Sequence, residues 1–149
     1  MKYMIERLFS YAILLKCELI TLDRYNDYLN EMFLQDLDNR FLLELQLCSS
    51  DILKTIVTIM DYSGKVDIDY DVFGKFLLYE LNTIYPEMEI HNFGAKAYSL
   101  WNLLPKNIEQ KQPFLTLSYA DDPLSWGDEK QSRELYEKMF KYYENYDKS

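Results

Sequence analysis

Tyr3-Met4-Ile5-Glu6-Arg7-Leu8-Phe9-Ser10-Tyr11-Ala12-Ile13-Leu14-Leu15-Lys16-Cys17 carries apolar side chains at Met4, Ile5, Leu8, Phe9, Ala12, Ile13 and Leu15. That i, i+3, i+4 recurrence is the stripe of a buried helix. The run from Leu8 to Leu15 is interrupted by Ser10 and Tyr11 and is followed by Lys16-Cys17-Glu18 rather than by small residues. It therefore reads as a core helix and not as a secretory leader. Working outward, Thr21 offers an N-cap to a second helix whose apolar positions are Leu22, Tyr25, Tyr28, Leu29, Met32 and Phe33. Asp38 is placed to cap a third, carrying Phe41, Leu42, Leu45 and Cys48. Ser50-Asp51 opens a fourth with Ile52, Leu53, Ile56, Val57, Ile59 and Met60 as its apolar set.

Ser63-Gly64-Lys65 reads as a turn. The alternation Val66-Asp67-Ile68-Asp69-Tyr70 allows a short extended piece. A fifth helix is expected from Asp71 through Leu81, and a sixth from an Asn92 cap through Ala97, Leu100 and Trp101 to Leu104, stopped by Pro105. Trp101 falls on that stripe and is expected in the core. The stretch from Lys106 to Gly127 is irregular, with Pro113, Pro123 and Phe114-Leu115-Thr116-Leu117-Ser118-Tyr119. Asp128, with Gln131 three residues on, starts the last helix. With only four glycines and four prolines there is little turn chemistry for a sheet-rich fold. The expectation is an all-α, compact bundle of six or seven helices, with room for an extended piece or hairpin near Val66 or Leu115. The 149 residues suit one globular domain, 1–149.

The formal net charge of −9 opposes binding to nucleic-acid phosphates and to anionic membranes. No stretch reaches the length of uninterrupted apolar residues that a membrane span needs. Cys17 and Cys48 stand apart from each other and from any Cys/His cluster, as reduced core thiols of a cytoplasmic protein do. His91 is the single histidine, and no nucleophile motif accompanies it. Asp67, Asp69 and Asp71 resemble the second half of a calcium loop. With Gly64 as the loop glycine, however, Ile59 and Tyr70 occupy the first and last ligand positions, and neither is acidic. No metal, no cofactor and no enzymatic activity are therefore expected. The expectation is a binding protein.

Two segments are candidates for contacting a partner. Between Asp61 and Glu89 seven acids face only Lys65 and Lys75, five of the nine excess negative charges. Asp67, Asp69, Tyr70 and Asp71 are the centre of that section, read as a solvated face for a basic protein. The irregular segment with Tyr119, Asp121, Asp122 and Trp126 is the second, because it is aromatic and acidic.

Trp101-Asn-Leu-Leu-Pro105 and Asp121-Asp-Pro-Leu-Ser-Trp126-Gly127, in a small acidic helical chain, resemble segments of small bacterial proteins. Some of those are immunity proteins of contact-dependent or polymorphic toxin systems. The resemblance implies a protein-binding inhibitor that blocks a cognate toxin, often a nuclease with a basic active-site face. A helical adaptor or regulatory subunit, or an unrecognised enzyme, is the alternative.

Overall fold

The computed structural model describes residues 3–147. Its regular elements are all helical: α1 (Met4–Lys16), α2 (Leu22–Gln35), α3 (Arg40–Leu47), α4 (Ile52–Ser63), α5 (Tyr70–Ile84), α6 (Ile90–Asn102), α7 (Lys106–Glu109), α8 (Glu129–Phe140) and α9 (Tyr142–Asp147). Three 3₁₀ turns join them, at Tyr85–Glu87, Phe114–Ser118 and Asp122–Trp126. The all-α class holds, but the described residues form nine α-helices where six or seven were expected. The two additions are short. Pro105, read as a stop, is instead the N-cap of α7, and Lys141 separates α9 from α8. Neither expected extended piece forms a strand. Asp67 to Asp69 is an irregular link into α5, and Leu115 lies in a 3₁₀ turn. No helix among the described residues is long and apolar enough to cross a membrane.

The chain packs as two compact units, Met1–Phe73 and Gly74–Ser149, with the boundary inside α5. In the first unit α1 is buried nearly all round, from Leu8 through Leu15. Phe9 stacks on Phe73 at 4.9 Å between ring centroids, and Tyr11 meets Tyr25 and Tyr28. Such complete burial requires its polar groups to be satisfied. Ser10 Oγ donates to the Arg7 carbonyl at 2.7 Å, and the Arg7 guanidinium lies 4.0 Å from the centre of the Tyr28 ring. α1 ends with Glu18 in the left-handed region at φ 58°, where glycine is usual. There the Leu19 N–H reaches back to the Leu14 carbonyl at 2.9 Å, and the side chains of Leu14 and Leu19 are both buried.

The helix starts follow side-chain chemistry. Thr21, Asp51 and Asp128 cap α2, α4 and α8 as read from the sequence, accepting from Arg24, Lys54 and Gln131 N–H. Three caps lie elsewhere. Asn39 rather than Asp38 caps α3, and Glu89 rather than Asn92 caps α6. Asp69 caps α5, its Oδ1 accepting from Asp71 and Val72 N–H at 3.1 and 3.2 Å. The Asp69 N–H in turn donates at 2.9 Å to Oε2 of Glu6, a carboxylate that is 4% exposed. One bond across 63 residues thus fixes where α5 begins in the first unit.

In the second unit the core is aromatic. Phe93 meets Tyr85 and Tyr136 edge-on at 5.1 and 5.0 Å, and Phe140 closes on Tyr85 at 5.3 Å. Gly74 is a close approach: a Cβ there would run into the Tyr143 hydroxyl and lie 2.9 Å from the Phe114 ring. Trp101, expected in the core, is only half-buried; its Nε1 donates to the Glu109 carbonyl at 2.8 Å and ties α6 to α7.

Because Asp69, although exposed, caps α5, Asp69→Ala is expected to lower stability by about 1 kcal/mol, while Asp69→Asn, an equally good cap, costs a few tenths. Chemical denaturation of both variants measures the difference, and equal losses would show that the cap contributes nothing.

Candidate partner-binding surfaces

Helix α4 is the place where the sequence pattern and the structure part. Its buried side is Thr55, Ile56, Ile59 and Ser63, which turns Ile52, Leu53 and Val57 outward. The polar members of the buried side are satisfied locally. Thr55 Oγ1 donates to the Cys48 carbonyl at 3.0 Å, and Ser63 Oγ to the Ile59 carbonyl at 2.7 Å. Cys48, whose thiol lies 3.8 Å from Thr55 Oγ1, and Cys17 are both buried and neither is in a disulfide among the described residues.

The same outward display continues on the two preceding helices. Leu34 is exposed in the last turn of α2 and Leu37 in the turn that follows it, and Leu43 and Leu47 stand four residues apart on one face of α3. Leu47 is 82% exposed, Leu34 75% and Leu53 73%. Every large exposed aliphatic side chain among the described residues lies between Leu34 and Val57; the exposed large side chains elsewhere are tyrosines and Trp126. Single exposed leucines are ordinary, but six aliphatics on three successive helices, with Leu37 in the turn between two of them, are not.

Between α3 and α4 runs a groove of about 470 Å³. Its floor is Phe41 against Tyr62, with ring centroids 4.0 Å apart. Val57 lines it, and so do Arg40 and Lys65 with Glu44 and Asp61, a balanced set of charges. Along the surrounding stretch of sequence the balance tips: from Glu31 to Asp61 there are six acids against Arg40 and Lys54.

The acidic section read from the sequence divides on inspection. Asp67, Asp69 and Asp71 are all exposed at the start of α5. Asp69 is committed to its cap, and Tyr70 is half-buried with its ring edge-on to Phe73 at 6.2 Å. The three aspartates do not share a strand face, since one caps and one lies in the first helical turn. No group of three or more metal-ligating side chains occurs among the described residues. His91 lies far along the chain, exposed, with Nδ1 2.6 Å from Glu89 Oε1. Hydrogen bonds from the His91 backbone and ring and from Asn92 N–H pull the Glu89 carboxyl down to about 2.

The second candidate segment divides similarly. Asp122 and Trp126 are exposed, Trp126 to 64%. Tyr119 is half-buried, and its hydroxyl accepts from Gln112 Nε2 at 3.2 Å. Asp121 turns inward: its Oδ1 is buried without a hydrogen-bond partner, and so are the Tyr136 hydroxyl and Ser132 Oγ. Gly94 makes room for this arrangement, since a Cβ there would lie 3.0 Å from Asp121 Cβ and 3.4 Å from the Tyr136 hydroxyl. Burial raises the Asp121 carboxyl above its ordinary value, and the neighbouring charge of Asp122 adds to the shift. Burial likewise pushes up the Tyr136 hydroxyl, with Asp121 as the next cause. The sequence carried no sign of this inward turn, because Asp121-Asp122 reads as two equal solvated acids.

No known family model, curated protein or solved structure matches this chain.

A raised carboxyl pKa means that the folded state holds the proton more tightly than the unfolded chain. The ionised form therefore subtracts stability above the folded pKa, and the penalty vanishes below the unfolded value of about 3.9. Asp121→Asn is expected to raise the melting midpoint at pH 7, with the gain closing as pH falls below about 4. A gain that is the same at pH 7 and pH 3.5 would show that the effect is not one of charge.

Proposed function

We propose that this protein is a cytoplasmic protein-binding inhibitor of the immunity type, and that it covers a basic partner with the aliphatic surface of α2, α3 and α4. One observation carries the reading: among the described residues, the large exposed aliphatic side chains are confined to the stretch from Leu34 to Val57. Interfaces of stable complexes have an apolar centre within a polar rim, and here the leucines stand among an excess of acids. The occupant that complements this surface is an apolar patch flanked by Lys and Arg, as on a toxin domain that itself handles nucleic acid. A second copy of the chain would set four excess negative charges against four, so the charge complementarity favours a basic partner over self-association. Asp67 and Asp71, exposed at the start of α5, add long-range attraction.

The experiment reads the gene immediately upstream, where a toxin domain is expected, and pairs the protein with that domain. Protection of cells that co-express that domain tests inhibition, and titration of the two purified proteins tests the surface. Leu47→Glu with Leu53→Glu is expected to leave the melting midpoint within about 3 °C, since both side chains are already in water. The same pair is expected to weaken binding by about thirtyfold or more, the effect of losing an interface hot spot. Asp67→Asn with Asp71→Asn is expected to slow association and flatten its salt dependence while leaving dissociation nearly unchanged. A Leu47→Glu/Leu53→Glu variant that binds and protects like the parent would place the interface elsewhere. Binding without protection would make the protein an adaptor rather than an inhibitor.

A further inference from the structure

The second unit contains a groove of about 510 Å³ between the segment Gln112 to Tyr119 and the helices α8 and α9. Its volume falls within the range of about 300–1,000 Å³ usual for small-molecule sites. The body of the groove is apolar, built from Pro113, Leu135, Met139 and Tyr142. One wall is polar and internally ordered. Thr116 Oγ1 donates to Gln112 Oε1 at 2.7 Å, Gln112 Nε2 donates to the Tyr119 hydroxyl at 3.2 Å, and Thr116 Oγ1 lies 3.3 Å from that hydroxyl. These contacts hold the wall in one conformation. Each hydroxyl also keeps lone-pair capacity for a further partner.

The charge of the lining is the unexpected part. The chain has 25 acids against 16 lysines and arginines, yet no carboxylate lines this groove, while Lys138 and Lys141 both do. Both ammonium groups belong to exposed residues, and neither forms an ion pair with a carboxylate among the described residues. The neighbouring acids Glu134, Glu137 and Glu144 are not part of the lining. An apolar trough lined by two lysines that form no ion pair among the described residues complements a hydrocarbon or aromatic body that ends in an anion.

We infer that the groove between Gln112–Tyr119 and α8–α9 is a binding site for a small amphipathic carboxylate. Its apolar body lies along Pro113, Leu135, Met139 and Tyr142, and its carboxylate is held by Lys138 and Lys141. The occupant is a small molecule, because the groove's volume of about 510 Å³ is that of a small-molecule site.

The test uses the full chain and amide-resolved NMR titrations with three probes of equal chain length: decanoate, decanol and decylamine. Decanoate is expected to shift the amides of Thr116, Tyr119, Lys138 and Met139 in a saturable way. Decanol is expected to bind about tenfold more weakly or worse, and decylamine more weakly still, since each 1.4 kcal/mol of lost ion pairing is a factor of ten. Lys138→Glu with Lys141→Glu is expected to reduce decanoate affinity at least about tenfold with an unchanged melting midpoint, and Lys138→Arg with Lys141→Arg to retain it. Equal affinity for decanoate and decanol would overturn the proposal, as would a Lys-to-Glu pair that binds decanoate like the parent. Shifts confined to residues 34–57, with none at Thr116 to Met139, would overturn it as well.

Discussion

Burial of α1 on almost every side is the constraint from which the first unit follows. A helix without a water-facing side places demands on everything around it, because each polar group it carries must find a partner inside. Glu6 meets that demand by accepting the Asp69 N–H, and in doing so it sets the first residue of α5. Ser10 turns back to its own helix, and Arg7 spreads its guanidinium over Tyr28. The aromatic rings of α2 and Phe73 then fill the space that remains around Phe9 and Tyr11. The second unit solves the same problem differently, with a cluster of rings around Phe93 rather than a fully buried helix.

What the sequence disclosed was the position of the helices, and what it concealed was which side of them faces water. The spacing of apolar residues in 4–16 and the caps Thr21, Asp51 and Asp128 were sufficient for α1, α2, α4 and α8, since a hydroxyl or carboxylate ahead of a periodic run has few other roles. Where two capping residues stand side by side, as Asp38 and Asn39 do, the pattern does not choose between them. In α4 the apolar residues occupy most of the circumference, so periodicity assigns no unique buried face. The polar Thr55 and Ser63 are inside because the backbone carbonyls of Cys48 and Ile59 are within their reach, and no linear pattern records that. Asp121 shows the same limit, as its inward turn depends on the missing side chain of Gly94, 27 residues earlier.

The candidate surfaces were therefore legible only in part. Net acidity is plain in the sequence, and Asp67, Asp69, Asp71, Asp122 and Trp126 are exposed. The aliphatic surface of α2 to α4 could not be read, because a leucine that faces water and a leucine in a core have the same letter. Charge and apolar exposure are separate signals: in protein association generally the first steers encounters over distance, and the second affects how long a complex lasts.

Trp101 and Trp126 are the two tryptophans of the chain, and both belong to the second unit. Tryptophan emission consequently reports on Gly74–Ser149 alone, whereas far-ultraviolet dichroism sums the helices of both units. The chain thus carries its own gauge of cooperativity: coincident transitions in the two signals define one folding unit, and separated transitions define two. Within the emission itself the indoles differ, one tied to the Glu109 carbonyl and the other in water, so a soluble quencher reaches Trp126 before Trp101.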